Sequence, residues 1–152
     1  MSELMLTYRG AIQQWHCDHM GHMNVMWYVG KFDEATWHLF AELGLTSIFL
    51  KENNRGLAAL EQQLTYKSEL HAGDAVSVYS TVLEIKDKTI RFEHEMRNDG
   101  TGKIAATTAL TGVYFDTVAR KSCPWPDDIK HRVSAFVSRP PTWVETNERQ
   151  PG

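Results

Sequence analysis

Apolar residues change their period along the chain. Between Tyr8 and Trp15 they alternate loosely with polar ones, which predicts a first strand. From Met26 onward Val29, Phe32, Thr36, Leu39, Phe40 and Leu43 recur at steps of three and four, with Lys31, Asp33, Glu34, His38 and Glu42 off that stripe. Such steps bring side chains onto one helical face, so the pattern predicts a helix of about 18 residues, long for a small domain. Asn24 precedes it as a side-chain cap, and Gly44 stands where a left-handed residue ends a helix.

Beyond Gly44 the chain reads mostly as strand. Leu57–Lys67 alternates imperfectly, and Ala72-Gly73-Asp74 forms a turn before Ala75–Ile85, which is rich in Val, Tyr and Thr. Lys86-Asp87-Lys88 connects tightly to Thr89–Arg97, where Ile90, Phe92, His94 and Met96 share a face. Asn98 to Gly102 is a hairpin signal, and Lys103–Val118 is long and rich in Ala, Thr and Val, as a central strand would be. Pro124 and Pro126 introduce a short helical stretch, Asp127–Phe136. Strand, long helix, then four antiparallel strands is an α+β order with no internal repeat: one domain over 1–137, followed by a C-terminal tail, 138–152, that carries Pro140, Pro141 and Pro151. One helix against a single sheet leaves apolar surface for a partner subunit, so an oligomer is expected.

Composition narrows the function classes. The chain has 152 residues, 42% of them hydrophobic and 23% charged, a globular balance. Sixteen Lys and Arg against 19 Asp and Glu give a net charge of −3, which argues against a nucleic-acid partner. No apolar run is long enough to span a membrane, and no signal peptide is evident at Met1-Ser2-Glu3-Leu4. Cys17 and Cys123 lie far apart, which suits a cytoplasmic protein without a disulfide framework.

The stretch His16 to Tyr28, HCDHMGHMNVMWY, carries the unusual chemistry. His16, His19 and His22 with Cys17 and Asp18 suggest a metal, but at helical spacing the histidines fan apart, and no second Cys/His cluster completes a zinc set. No metal is therefore expected. Asp18, Gly21, His22 and Asn24 make better sense together: a carboxylate beside a histidine, a glycine for tight backbone, and an amide capping a helix. Unpaired N–H groups at that helix end can polarise a carbonyl while the carboxylate attacks or activates water, the equipment of acyl transfer.

On these residues the chain resembles a known family. Asp18-x-x-Gly21-His22-x-Asn24-x-x-x-Tyr28, followed by Phe32 and Glu34, is similar to the signature of hotdog-fold acyl-CoA thioesterases of the 4-hydroxybenzoyl-CoA thioesterase type. The resemblance implies an antiparallel five-stranded sheet wrapped around one long central helix. It departs from the commonest form at His16-Cys17, where an Asp-Thr pair is frequent, and at Val25, where a second Asn is frequent.

The resemblance implies that Asp18 acts as general base or nucleophile, assisted by His22 and Asn24, with backbone N–H groups from Val25 to Tyr28 as oxyanion donors. Trp15, Gly21, Val25, Trp27 and Tyr28 are candidates for the substrate pocket, joined by Glu61 and Gln62 across a dimer interface. Glu34 is expected to be a solvated or interface carboxylate. Coenzyme A would be part of the substrate, so no cofactor is expected, and its phosphates could meet Lys86, Lys88, Arg91, Lys103, Arg120 or Lys121. Aromatic residues around the motif suit an aryl group or, by cation–π contact, a betainyl-CoA-like quaternary ammonium. The expected state is a homodimer or homotetramer. Two other readings are a hotdog lyase or hydratase and a non-catalytic acyl-CoA-binding hotdog module.

Overall fold

The computed structural model describes residues 4–137, so the tail expected from Ser138 lies outside the described residues. Five long strands form an antiparallel sheet: β1 (Met5–Ala11), β2 (Arg55–Tyr66), β3 (Ala75–Ile85), β4 (Thr89–Asn98) and β5 (Ile104–Asp116). Their spatial order is β1-β3-β4-β5-β2, and a two-residue β6 (Lys121–Ser122) pairs with the end of β5. The helices are α1 (Val25–Glu42), α2 (Ser47–Glu52) and α3 (Asp127–Ser134). This is the expected α+β layout, with a curled sheet packed on α1.

Two expectations shift. The first strand ends at Ala11 rather than Trp15, because Gln14–His16 turns into a single 3₁₀ turn. The two-turn α2 was absent from the sequence reading; Thr46 caps it by accepting the Phe49 N–H at 3.1 Å.

Helix α1 has 18 residues, about 27 Å of axis, and forms where the period predicts. Asn24 caps it, and Gly44 adopts φ 90° just beyond it. Its first half buries Tyr28, Phe32 and Ala35 against Ile12, Met23, Leu70, Val76, Val78 and Met96. Its second half buries Leu39, Phe40 and Leu43 against Val82, Ile90, Phe92, Tyr114 and Trp125. Lys31, off the apolar stripe in sequence, is nevertheless buried, its stem lying along β1 and its Nζ donating to the Tyr8 hydroxyl at 3.2 Å.

Between the two halves sits a polar cross-brace. The Thr36 hydroxyl donates to the Phe32 carbonyl at 2.9 Å, so it must accept from His94 Nε2 at 2.8 Å. That fixes His94 as the Nε2–H tautomer, with Nδ1 accepting from Ser80 Oγ at 2.5 Å and Ser80 in turn bonded to Thr7 Oγ1 at 2.6 Å. One imidazole thereby ties α1 to β1, β3 and β4. Complete burial keeps it neutral and pushes its pKa down to about 3.

Candidate active site

The loop from Cys17 to Asn24 is a closed hydrogen-bonded unit. The Asp18 carbonyl accepts from Gly21 N at 3.0 Å, and its Oδ1 accepts from Met20 N at 2.9 Å, an Asx-type turn. Gly21 closes the turn at φ 86°, a conformation that disfavours a side chain. Met23 pins the loop to the core: its side chain is buried, worth roughly 2 kcal/mol, and its N–H donates to Leu70 O at 2.7 Å.

Asn24 joins this loop to the helix with both ends of its amide. Its Nδ2 donates to Asp18 Oδ2 at 2.8 Å, and its Oδ1 accepts from Met26 N at 3.0 Å. Each Asp18 oxygen thus receives one hydrogen bond. The Asn24 bond first, then that of Met20, holds the Asp18 pKa below its ordinary value and keeps the carboxylate ionised at neutral pH.

The same arrangement narrows the oxyanion donors. Met26 N is taken by the Asn24 side chain and Trp27 N by the Asn24 carbonyl at 3.1 Å. Val25 N–H, the first of the helix, has no acceptor among the described residues. Helix geometry aims it outward at the positive end of the macrodipole.

The remaining candidates divide. The His22 ring turns away from Asp18: Nδ1 bonds the Met23 carbonyl at 3.3 Å and Nε2 lies 3.6 Å from Glu69. His22, Val25 and Tyr28 line a groove with Met23, Tyr66 and Lys67 beside the helix start. Tyr28 is buried and packs edge-on to Tyr66; burial pushes its hydroxyl up to about 12, so it stays protonated. Trp27 packs edge-on against His16, with ring centroids 4.7 Å apart, whereas Trp15 is 69% exposed.

A second groove runs farther along the helix, between α1 and strands β2 and β5. Val29, Asp33, Thr36 and Trp37 line one side, and Leu57, Ala58 and Gln62 the other. Gln62 donates to Thr108 Oγ1 at 3.3 Å. Glu61 instead pairs opposite Thr111 just past a register shift in β2 and lines neither groove. In the sequence Asp33 stands off the apolar stripe of α1. Its signal was present, since Val25, Val29, Asp33 and Trp37 follow at steps of four on one helical face.

The basic candidates separate by sheet end. Lys86, Lys88, Arg91, Arg120 and Lys121 belong to the end formed by the β3–β4 and β5–β6 turns, remote from the loop. Only Lys103 among them sits at the end shared with β1 and Leu70, where Asn98 N bonds its carbonyl at 2.9 Å. Among the described residues no three His, Cys, Asp or Glu side chains are grouped to hold a metal; His16 bonds Gln13 N, and His22 turns to Glu69. No described helix is long and apolar enough to cross a membrane.

Known proteins share this architecture. The chain is 26% identical over 137 residues to the betainyl-CoA thioesterase of Pseudomonas aeruginosa, covering 90% of this chain and 86% of that protein. A Staphylococcus aureus protein solved in complex with CoA superposes with a TM-score of 0.88 at 19% identity, over 100% of this chain and 96% of the other. The 1,4-dihydroxy-2-naphthoyl-CoA thioesterase of Synechocystis gives 0.75 at 14% identity, over 87% and 96%. These solved structures establish the hotdog fold. The thioesterase-like superfamily model matches residues 12–133, including the Asp18 loop, α1 and every strand from β2 to β6, and the chain belongs to that superfamily.

Proposed function

We propose that the protein hydrolyses a small or aromatic acyl-CoA to the free acid and coenzyme A, using Asp18 as the reacting carboxylate. The observation that carries this reading is the pairing of an ionised carboxylate with an open helix N–H, both positioned by Asn24. A thioester oxygen seated at Val25 N–H gains charge stabilisation as the carbonyl becomes tetrahedral. The lowered pKa keeps the Asp18 carboxylate ionised at neutral pH and so available to attack the thioester carbonyl. Attack by Asp18 on the carbonyl carbon breaks the C–S bond, releases the coenzyme A thiolate and leaves a mixed anhydride, which water hydrolyses.

The groove past Val29 supports the small-acyl reading. Asp33 lies eight residues beyond Val25, about 12 Å of helix axis, and its side chain leans back toward the helix start. A short acyl group leaving the Val25 position along α1 therefore meets Asp33 and the Trp37 ring. An aromatic face with a carboxylate suits a quaternary ammonium such as a betainyl group, the acyl group named in the Pseudomonas aeruginosa relative. The pantetheine arm would leave past His22 and Tyr66, where Lys67 lines the groove.

A homodimer completes this reading. Strand β2 is a sheet edge 12 residues long, exposed from Ala58 to Gln63, and Val29 and Trp37 are exposed beside it. A long uncovered edge next to apolar side chains is a surface for a second copy, which would roof the α1 groove.

Thiol release from betainyl-CoA, benzoyl-CoA and palmitoyl-CoA tests the proposal. Wild type should release thiol from one of the first two and not from the third, and Asp18→Asn should lower kcat about 1,000-fold. Tight acyl-CoA binding without release would overturn it in favour of a non-catalytic acyl-CoA-binding module. Single turnover in ¹⁸O-water reads anhydride formation directly, because label enters Asp18 only when water attacks the Asp18 carbonyl of the mixed anhydride.

A further inference from the structure

The surroundings of His16 suit only one protonation state. The backbone N–H of Gln13 donates to His16 Nδ1 at 2.8 Å, so Nδ1 carries no proton and the neutral ring is the Nε2–H tautomer. The His16 N–H closes the same turn on Gln13 O at 3.0 Å, and the His16 carbonyl accepts from Asn24 N at 2.9 Å. Asn24 is the residue that grips Asp18 and leaves Val25 N–H open. A chain of four bonds therefore runs from the imidazole to the reacting carboxylate.

His16 is 8% exposed, with its ring against those of Trp15 and Trp27. From α1, Lys31 brings a positive charge to bear on it; from β1, Tyr8 steadies that ammonium at 3.2 Å. Within the loop, the Cys17 thiol donates to Gln13 O at 3.7 Å, and the Asp18 carboxylate is engaged with Met20 and Asn24. Burial, then Lys31, keep His16 neutral below its ordinary range. A proton forced onto Nδ1 would face the Gln13 N–H, donor against donor, and the turn would open.

We propose that His16 is a positioning residue whose neutral imidazole latches the Asp18 loop and whose protonation releases it. The proposal rests on Asp18 as the reacting group, so its sign can be worked out. Activity needs Asp18 ionised and His16 neutral, and acidification removes both conditions. The acid limb of kcat/KM should fall more steeply than one proton allows.

The test compares pH profiles. His16→Asn keeps an acceptor for Gln13 N and cannot take the proton. It should retain kcat/KM within about threefold at neutral pH, with an acid limb that is shallower and lower. Lys31→Met removes the opposing charge and should move the wild-type limb to higher pH. His16→Leu removes the acceptor and should lose at least about tenfold at every pH. An unchanged acid limb in both His16→Asn and Lys31→Met would overturn the proposal. The imidazole ¹⁵N spectrum gives a second readout: an unprotonated Nδ1 is expected, with the Asn24 amide shifting as the ring titrates, and a protonated Nδ1 would overturn it. If no acyl-CoA were hydrolysed, the thioesterase reading alone would fail, and the ¹⁵N spectrum would still decide on His16.

Discussion

The loop before α1 and the middle of β4 both use histidine and hydrogen bonds, yet they do opposite work. In the loop, side chains bond mainly to backbone N–H groups, and the Asp18 carboxylate stays partly exposed. In the core, His94 bonds only to other side chains, and water is excluded completely. At the helix start the Val25 N–H has no acceptor among the described residues, whereas the His94 cross-brace has both ring nitrogens engaged. An unsatisfied group beside solvent costs little and is ready for a ligand; the same group in the core would cost about 1–3 kcal/mol. Burial is what separates a site from a brace.

This contrast can be broken most strongly from the core side. His94→Leu should cost about 3 kcal/mol, because Thr36 and Ser80 lose their shared partner. Urea denaturation should show that loss, while kcat per folded molecule stays near wild type. A large fall in kcat at unchanged stability would mean the brace belongs to the site.

The loop should respond the other way. Asn24→Ala removes both the cap and the grip on Asp18. We expect kcat to fall about 30-fold, about 2 kcal/mol in barrier, against only about 1 kcal/mol of stability. Folding should also depend on pH through the core histidine. His94 has a pKa of about 3 when folded, against 6.5 ordinarily, so the unfolded chain binds the extra proton between those values. Its contribution is fully present above pH 6.5 and falls on acidification by up to about 1.4 kcal/mol per pH unit. Urea titrations from neutral to mildly acidic pH should show that slope, and His94→Leu should flatten it by about one proton.

Legibility followed the length of the pattern. Helix α1, with its Asn24 cap and Gly44 stop, and the four strands after it were readable because their periods repeat several times. Helix α2 was missed because two turns offer too few repeats to stand out. Lys31 lies off the apolar stripe and is still buried, because period sees polarity and cannot see a stem lying along β1. In the site, Asp18 and Asn24 stand in the sequence motif and Val25 where the chain departs from its commonest form, but the spending of each N–H depends on loop geometry and has no sequence signal. The shared face of Ile90, Phe92, His94 and Met96 was visible; that His94 there ties four elements together was not.

The double use of Asn24 constrains any redesign of this protein. Its amide oxygen starts the helix and its amide nitrogen restrains Asp18, and a planar group moves as one piece. Aspartate could supply the first function but would repel the carboxylate; serine could cap but could not span both partners. The placement of the Asp18 carboxylate and helix initiation therefore share a single degree of freedom, and neither can be adjusted without the other.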